Sequence, residues 1–263
     1  MHICGPATRY AYSTERIYTP PDALLPDYLH LAETLGLERV VFVQPSIYGR
    51  DNTAMLAAMD ECPLANRGVA VLGHDTSDAD LESLSEAGVR GVRLNLVDVA
   101  EPDAGLPLED IKRLANRIAP FDWHLELLLH VDDFPGLDDD LGDLPVDLVV
   151  GHLGYFRPDK TPEDPGFQAL VRLMQAERCW TKLTGPYRVS SESYPYSSAT
   201  PFAEFLIEAA AERLLWGSDW PHVMMPSTMP NDGELLELLF EWAVEPGIAH
   251  KILVENPARL YGF

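Results

Sequence analysis

Short runs of apolar residues alternate along the chain with stretches of helical period. The β-type runs are Arg39–Gln44, Gly68–Leu72, Gly91–Leu96, Trp123–Leu129, Val146–Val150, Trp180–Leu183 and Leu214–Trp216. Helix-period segments lie around them at Pro21–Leu35, Asn52–Glu61, Asp78–Ala87, Leu108–Ile118, Asp133–Leu141, Pro165–Glu177 and Pro201–Ala211, and Asp232–Trp242 follows the last strand. Strict alternation calls for parallel strands joined by helical crossovers, and eight such units close into a barrel with its sites at the C-terminal strand ends. The pattern predicts an α/β chain, a (β/α)8 TIM barrel forming one domain over residues 1–263, with one strand short. Met1–Thr8 is polar and glycine-containing and leads into a helix, so the strand to be expected upstream is the first, truncated or missing. An open doubly wound sheet is the alternative fold. It lacks support as a nucleotide binder, because no G-x-G-x-x-G follows the first strand and no Walker A loop occurs.

Composition fits one large core: 46% hydrophobic, 23% charged, with Pro and Gly scattered through the chain. No apolar run approaches a membrane span and the start has no signal-peptide character, so a cytoplasmic enzyme is expected, without membrane partners. Asp+Glu 42 against Lys+Arg 19 gives a net charge of −23, a field that opposes nucleic acid and anionic lipid. A small anionic substrate would then need arginines to reverse the sign locally. Cys4, Cys62 and Cys179 are odd in number and far apart, which suits reduced packing residues better than disulfides. Two loops, Ser190–Thr200 and Val223–Asn231, are candidate covers for a mouth by their length and Met/Tyr content.

Polar residues recur just past the apolar runs: Ser46, Arg93, His130, His152, Arg188 and Asp219, with His2 at the start. A barrel would bring these ends to one rim. Asp219, between Ser218 and Trp220 after Leu214–Trp216, could deprotonate a water or bind a divalent ion; a cap on the following loop is the competing explanation. His152, flanked by Gly151 and Gly154, suits a catalytic or ligand role in company with Asp219, whereas alone it would read as a core histidine. His130 shares a strand face with Leu128 and His124, and metal ligand, substrate donor and structural residue are equally open for it. His222 is placed near Asp219 at the mouth, while His30, His74 and His250 read as structural. Arg93 and Arg188 are candidate anion clamps, with an internal salt bridge as the rival account of Arg93. Tyr18, Ser46 and Tyr48 offer hydroxyls to a carboxylate or ring oxygen. H-E-x-x-H, C-x-x-C and G-x-S-x-G are absent.

The segments His2–Pro6, Tyr18–Ala23, Val43–Asn52, Gly91–Asn95, Gly151–Gly154, Trp216–His222 and Glu255–Tyr261 together resemble, nearly end to end, the amidohydrolase superfamily. Within it they are similar to the amidohydrolase 2 family and the metal-independent lactonase branch typified by 2-pyrone-4,6-dicarboxylate lactonase. That resemblance implies a (β/α)8 barrel in which Asp219 activates water and His152 polarises the carbonyl. Arg93, Arg188, Tyr18 and Ser46 match positions that hold substrate carboxylates. Of the family's opening D-x-H-x-H, only the second histidine is present, as His2, consistent with a start upstream of Met1. A second arginine expected soon after Arg93 is replaced near Val97-Asp98-Val99, which points to lactones related to the dicarboxylated pyrone. In Glu255–Tyr261, Asn256 before Pro257 suits a helix N-cap.

The expected function is therefore a hydrolase opening a carboxylated lactone, with Asp219 as base, His2 and His152 stabilising the oxyanion, and no metal or cofactor. Two alternatives stay open. One is a metal-dependent amidohydrolase or decarboxylase with Zn²⁺ on His2, His130, His152 and Asp219. The other is a non-catalytic protein that binds small carboxylates. Either a monomer or a homo-oligomer fits these readings.

Overall fold

A computed structural model describes residues 1–73, 75–97, 105–225 and 228–263. Two compact units emerge: Met1–Leu94 with Asp219–Met229 and Phe263, and Asn95–Ser218 with Pro230–Gly262. His74 and the segment around Asp98-Val99 lie outside the described residues, as does part of Val223–Asn231.

The first unit runs α1 (Leu25–Leu35), β1 (Arg39–Val43), α2 (Thr53–Glu61), β2 (Ala65–Ala70), α3 (Asp78–Glu86) and β3 (Val89–Asn95, of which the last residue falls in the second unit). The strands pair in parallel, Phe42 opposite Gly68 and Val69 opposite Gly91. Helix α3 starts at a reciprocal cap: the Asp80 backbone N–H donates to Ser77 Oγ, and the Ser77 N–H donates to the Asp80 carboxylate. Met1 and His2 lie beside β1, the Met1 amino group donating to the Val41 carbonyl and the Val43 N–H to the Met1 carbonyl.

The second unit continues with α4 (Leu108–Ile118), β4 (His124–Leu128), α5 (Leu137–Leu141), β5 (Leu148–Val150), α6 (Pro165–Gln175), β6 (Cys179–Leu183), α7 (Thr200–Ala210), β7 (Leu214–Trp216) and α8 (Asp232–Trp242). Its strands also pair in parallel and in chain order, with Leu125 opposite Leu148, Val149 opposite Trp180 and Lys182 opposite Leu215. Every residue of β4 and β5 is buried, as strands covered on both faces require. Helix α4 buries Ile111, Ala115 and Ile118, one stripe at helical spacing. Among the described residues, the alternating α/β architecture with seven parallel strands agrees with the sequence pattern.

Some boundaries differ. Helix α1 begins at Leu25, because Pro26 is tolerated only within a first turn. The segment read as one helix from Asp133 splits into a 3₁₀ turn at Val131–Asp133 and α5 from Leu137, since Pro135 and Gly136 intervene. Strand β2 starts three residues early, at Ala65, in register with Arg39. The last helical stretch is continuous through Ile248–His250, a π segment at Lys251–Glu255 and Asn256–Tyr261. Asn256 is therefore not an N-cap. Its buried side-chain amide donates instead to the carbonyls of Ala211, at 2.8 Å, and Leu214, at 2.7 Å, tying this helix to the entry of β7. The cysteines are free; Cys4 and Cys179 are buried, and burial pushes the Cys4 thiol up to about 12.

A cavity of about 490 Å³ in the second unit lies at the N-terminal strand ends, lined by Trp123, Asp147, Glu177, Trp180, Arg213 and Arg259 among others. Its charges answer one another. Arg213 pairs with Asp147 at 3.3 Å and with Glu177 at 3.2 Å, and the Trp180 indole N–H donates to Asp147 at 2.8 Å. In a parallel α/β fold that end is the stabilising face, and catalytic residues sit at the opposite strand ends.

Candidate active site

In the first unit, His2 is held from two sides. Its backbone N–H donates to the Trp220 carbonyl at 2.8 Å, on the turn that carries Asp219, and its ring Nδ1 lies 2.7 Å from the carbonyl of Val43 at the end of β1. A carbonyl oxygen can only accept, so Nδ1 carries the hydrogen and Nε2 the lone pair. That Nε2 is 3.9 Å from Asp219 Oδ1, and both side chains are nearly buried, 12% and 7% exposed. Burial, reinforced by the Arg93 guanidinium and the amino terminus, outweighs the Asp219 carboxylate and the Val43 carbonyl and holds the His2 pKa down at about 3. His2 is thus neutral at ordinary pH and an acceptor at Nε2. The oxyanion-donor role expected from the sequence would need a hydrogen on that atom.

Asp219 has φ 59° and His222 φ 56°, left-handed values that cost an L-residue energy and that concentrate where a site must be held in one geometry. His222 is buried, its N–H donating to the Asp219 carbonyl at 2.8 Å, so it closes the turn under Asp219. Arg93, half-buried on β3, donates from Nη1 to the Gln44 carbonyl at 3.2 Å. Among the described residues, its buried Nε finds no hydrogen-bond partner and the guanidinium makes no ion pair. Ser46 opens the 3₁₀ turn after β1 and is half-buried. Tyr18 packs half-buried against the cluster of Cys4, Ala23, Ile47, Tyr48 and Ala54. Tyr48 is committed to structure: its buried hydroxyl accepts from the Gly5 N–H at 2.6 Å.

In the second unit, His130, Tyr155, His152 and Arg188 form a contiguous group. His130 Nδ1 lies 2.5 Å from the Tyr155 carbonyl, which fixes its hydrogen on Nδ1 as in His2, and both histidine rings pack on the Tyr155 ring at 4.7 and 5.2 Å. His152 and Leu153 have φ 51° and 55°, a second strained turn at a strand end. Gly185, at φ +57°, sits where a Cβ would come within 2.8 Å of His152 Nδ1 and 3.3 Å of Arg188 Cδ, so only glycine lets the ring and the arginine stem approach this closely. Arg188 ends the 3₁₀ turn Pro186–Arg188 and stacks over Tyr187 at 5.3 Å. Tyr155, Thr184 and the Val43 carbonyl were not marked by sequence patterning, although Thr184 stands directly before the Gly185–Arg188 turn that was. The Ser190–Thr200 segment is tied down internally, Ser198 Oγ meeting Ser190 Oγ at 2.8 Å with Tyr196 buried.

Among the described residues, no group of three or more His, Cys, Asp and Glu stands close enough to hold a metal ion. His2 Nε2 and Asp219 Oδ1, 3.9 Å apart, are a pair of adjacent lone-pair donors. No helix among the described residues is long and apolar enough to cross a membrane.

Lowering of the His2 pKa has a thermodynamic signature. The unfolded chain takes up a proton near pH 6.5 that the folded one refuses until about pH 3, so the stability contribution is complete above 6.5 and is lost as pH falls through that window. Urea titrations of wild type and His2→Gln between pH 7 and 4 should show the variant losing less stability on acidification; parallel curves would mean that His2 is solvated in solution.

Each unit thus carries left-handed turns at strand ends with polar side chains on them, Asp219 beside a neutral His2 in the first and His152 beside His130 and Tyr155 in the second. The chain belongs to the amidohydrolase family, whose model matches residues 1–263. It is 36% identical over 264 residues to a 4-sulfomuconolactone hydrolase of Rhizobium radiobacter, covering 100% of this chain and 88% of that protein. It is also 36% identical over 275 residues to a 2-pyrone-4,6-dicarboxylate hydrolase of Comamonas testosteroni, covering 99% and 88%. Among solved structures, a probable 2-pyrone-4,6-dicarboxylic acid hydrolase from Acinetobacter baumannii with citric acid bound superposes with a TM-score of 0.86 at 27% identity, covering 100% of this chain and 97% of that one.

Proposed function

We propose that the protein is a hydrolase that opens a lactone ring bearing a carboxylate or similar anionic group, on a (β/α)8 barrel of the amidohydrolase type, without a metal. The observation that carries this is the half-buried Arg93 guanidinium, which makes no ion pair among the described residues and acts electrostatically on the same imidazole that faces Asp219. An anionic substrate supplies the missing charge. The relatives named for lactone hydrolysis, and the citric acid held by the Acinetobacter protein, agree with that chemistry.

In the proposed reaction, a water donates one hydrogen to Asp219 and the other to His2 Nε2. Both are acceptors, and a 3.9 Å separation admits one water at about 2.8 Å from each. Asp219 takes the proton as the water oxygen bonds to the lactone carbonyl. His152 donates to the developing oxyanion, and the ring C–O bond then breaks as the proton passes from Asp219 to the leaving oxygen. Arg188, Tyr18 and Ser46 are proposed, with Arg93, as holders of anionic or ring oxygens, and His130 and His222 as further substrate contacts.

A hydrolysis screen over carboxylated and sulfonated lactones, with and without chelator, tests the reading. Turnover that survives chelation is expected, whereas turnover lost to chelator together with about one zinc per chain would establish the metal-dependent alternative. Binding of these anions without any turnover would establish the non-catalytic one. Arg93→Gln should raise KM for the anionic substrates about 10–100-fold with little change in kcat, as loss of a charge-assisted hydrogen bond predicts. An unchanged KM would leave Arg93 a structural residue.

A further inference from the structure

We propose that Thr184 is a positioning residue that keeps the proton of neutral His152 on Nε2, making this histidine a hydrogen-bond donor to substrate. The inference rests on the reading of His152 as the residue that meets the lactone carbonyl. Thr184 follows β6 directly and is buried, 6% exposed. Its Oγ1 lies 3.3 Å from the His152 backbone N and 3.1 Å from the His152 ring Nδ1. The backbone N–H can only donate, so the hydroxyl oxygen accepts there. Among the described residues, the hydroxyl hydrogen has one acceptor within reach, and that is Nδ1. The opposite arrangement, with hydrogen on Nδ1, would leave a buried hydroxyl hydrogen without any acceptor, a cost that buried polar groups avoid. Nδ1 is therefore the acceptor of the Thr184 hydroxyl, and the ring's hydrogen resides on Nε2.

The contact is held from several sides. Gly185 leaves room for the imidazole, since a Cβ there would stand 2.8 Å from Nδ1, and Gly217 leaves room for the threonine methyl, a Cβ there coming within 3.1 Å of Thr184 Cγ2. The far side of the ring rests edge-on against Tyr155 at 5.2 Å. His2 and His130 have carbonyl partners that hold hydrogen on Nδ1, so a hydroxyl at this position makes His152 the one of the three whose Nδ1 faces a donor.

Long-range ¹H–¹⁵N correlation spectra of the imidazoles, with His152 identified by its loss in His152→Asn, read the tautomer directly. Expected is a hydrogen-bearing Nε2 and a lone-pair Nδ1 in wild type. In Thr184→Val the two forms should mix, with kcat on the best lactone about tenfold lower and KM unchanged, as loss of one hydrogen bond predicts. Thr184→Ser, which keeps the hydroxyl, should restore both the spectrum and kcat. A hydrogen on Nδ1 in wild type overturns the proposal, as does a Thr184→Val enzyme with unaltered spectrum and kcat. If Thr184→Val fails to fold, the wild-type and Thr184→Ser spectra still decide. A wild-type enzyme that turns over no lactone would sink the lactonase reading while leaving the spectra to judge the tautomer.

Discussion

Replacing Asp219 with Asn should lower kcat for lactone opening by about 10²–10⁴-fold, the contribution of a positioned general base. The amide keeps the shape of the carboxylate, so KM should change little and the fold should persist. The loss should also not depend on the size of the anionic substituent, because the removed group acts on water. Asp219 suits this task because its side chain is only 7% exposed and faces the lone pair of a histidine that remains neutral. A carboxylate beside a protonated imidazole would be a poor base, and the His2 pKa near 3 removes that competition across the working range. The acid limb of the pH–rate profile should accordingly carry no step from His2 near 6.5. Asp219→Asn with wild-type-like turnover in steady-state assays would take this residue out of the mechanism.

A second large effect is expected away from the chemistry. Glu126 on β4 and Lys182 on β6 meet at 2.5 Å with side chains only 9% and 14% exposed. Removing one charge leaves the other nearly buried without its counter-ion. Glu126→Leu should therefore cost about 3–5 kcal/mol of unfolding free energy, while Glu126→Leu combined with Lys182→Leu should recover most of it. Equilibrium denaturation of the three proteins measures both quantities. A single variant within about 0.5 kcal/mol of wild type, the range of ordinary surface substitutions, would mean the pair is hydrated in solution.

These two sites illustrate what the sequence discloses and what it withholds. Runs of Val and Leu at β4 and β5 announce buried strands, and strand ends announce Asp219 and His152, because a parallel α/β fold puts its chemistry there. The alternation that sets His124, Leu128 and His130 on one face of β4 sets Glu126 there too, the one sequence signal for its burial. Its partner lies 56 residues away, beyond any local pattern. Helix ends are legible where Pro or Gly forces them, as at Pro135-Gly136, whereas Asn256 before Pro257 has the signature of a cap and serves a distant pair of carbonyls instead. Tautomers are the least legible feature. The groups that fix them are a carbonyl 41 residues from His2, another 25 residues from His130 and a hydroxyl 32 residues from His152. Backbone carbonyls are the same whatever the residue type, so two of these three partners leave no mark in the sequence.

The lone pair of His2 beside the Asp219 carboxylate also decides which inhibitors this enzyme should prefer. Two neighbouring acceptors reward a compound that brings two donors to that spot, and they penalise one that brings an oxygen bare of hydrogen. Activated ketones that exist in water as gem-diols should therefore outcompete ketones of equal shape that stay unhydrated, and the margin should vanish in a His2→Phe protein.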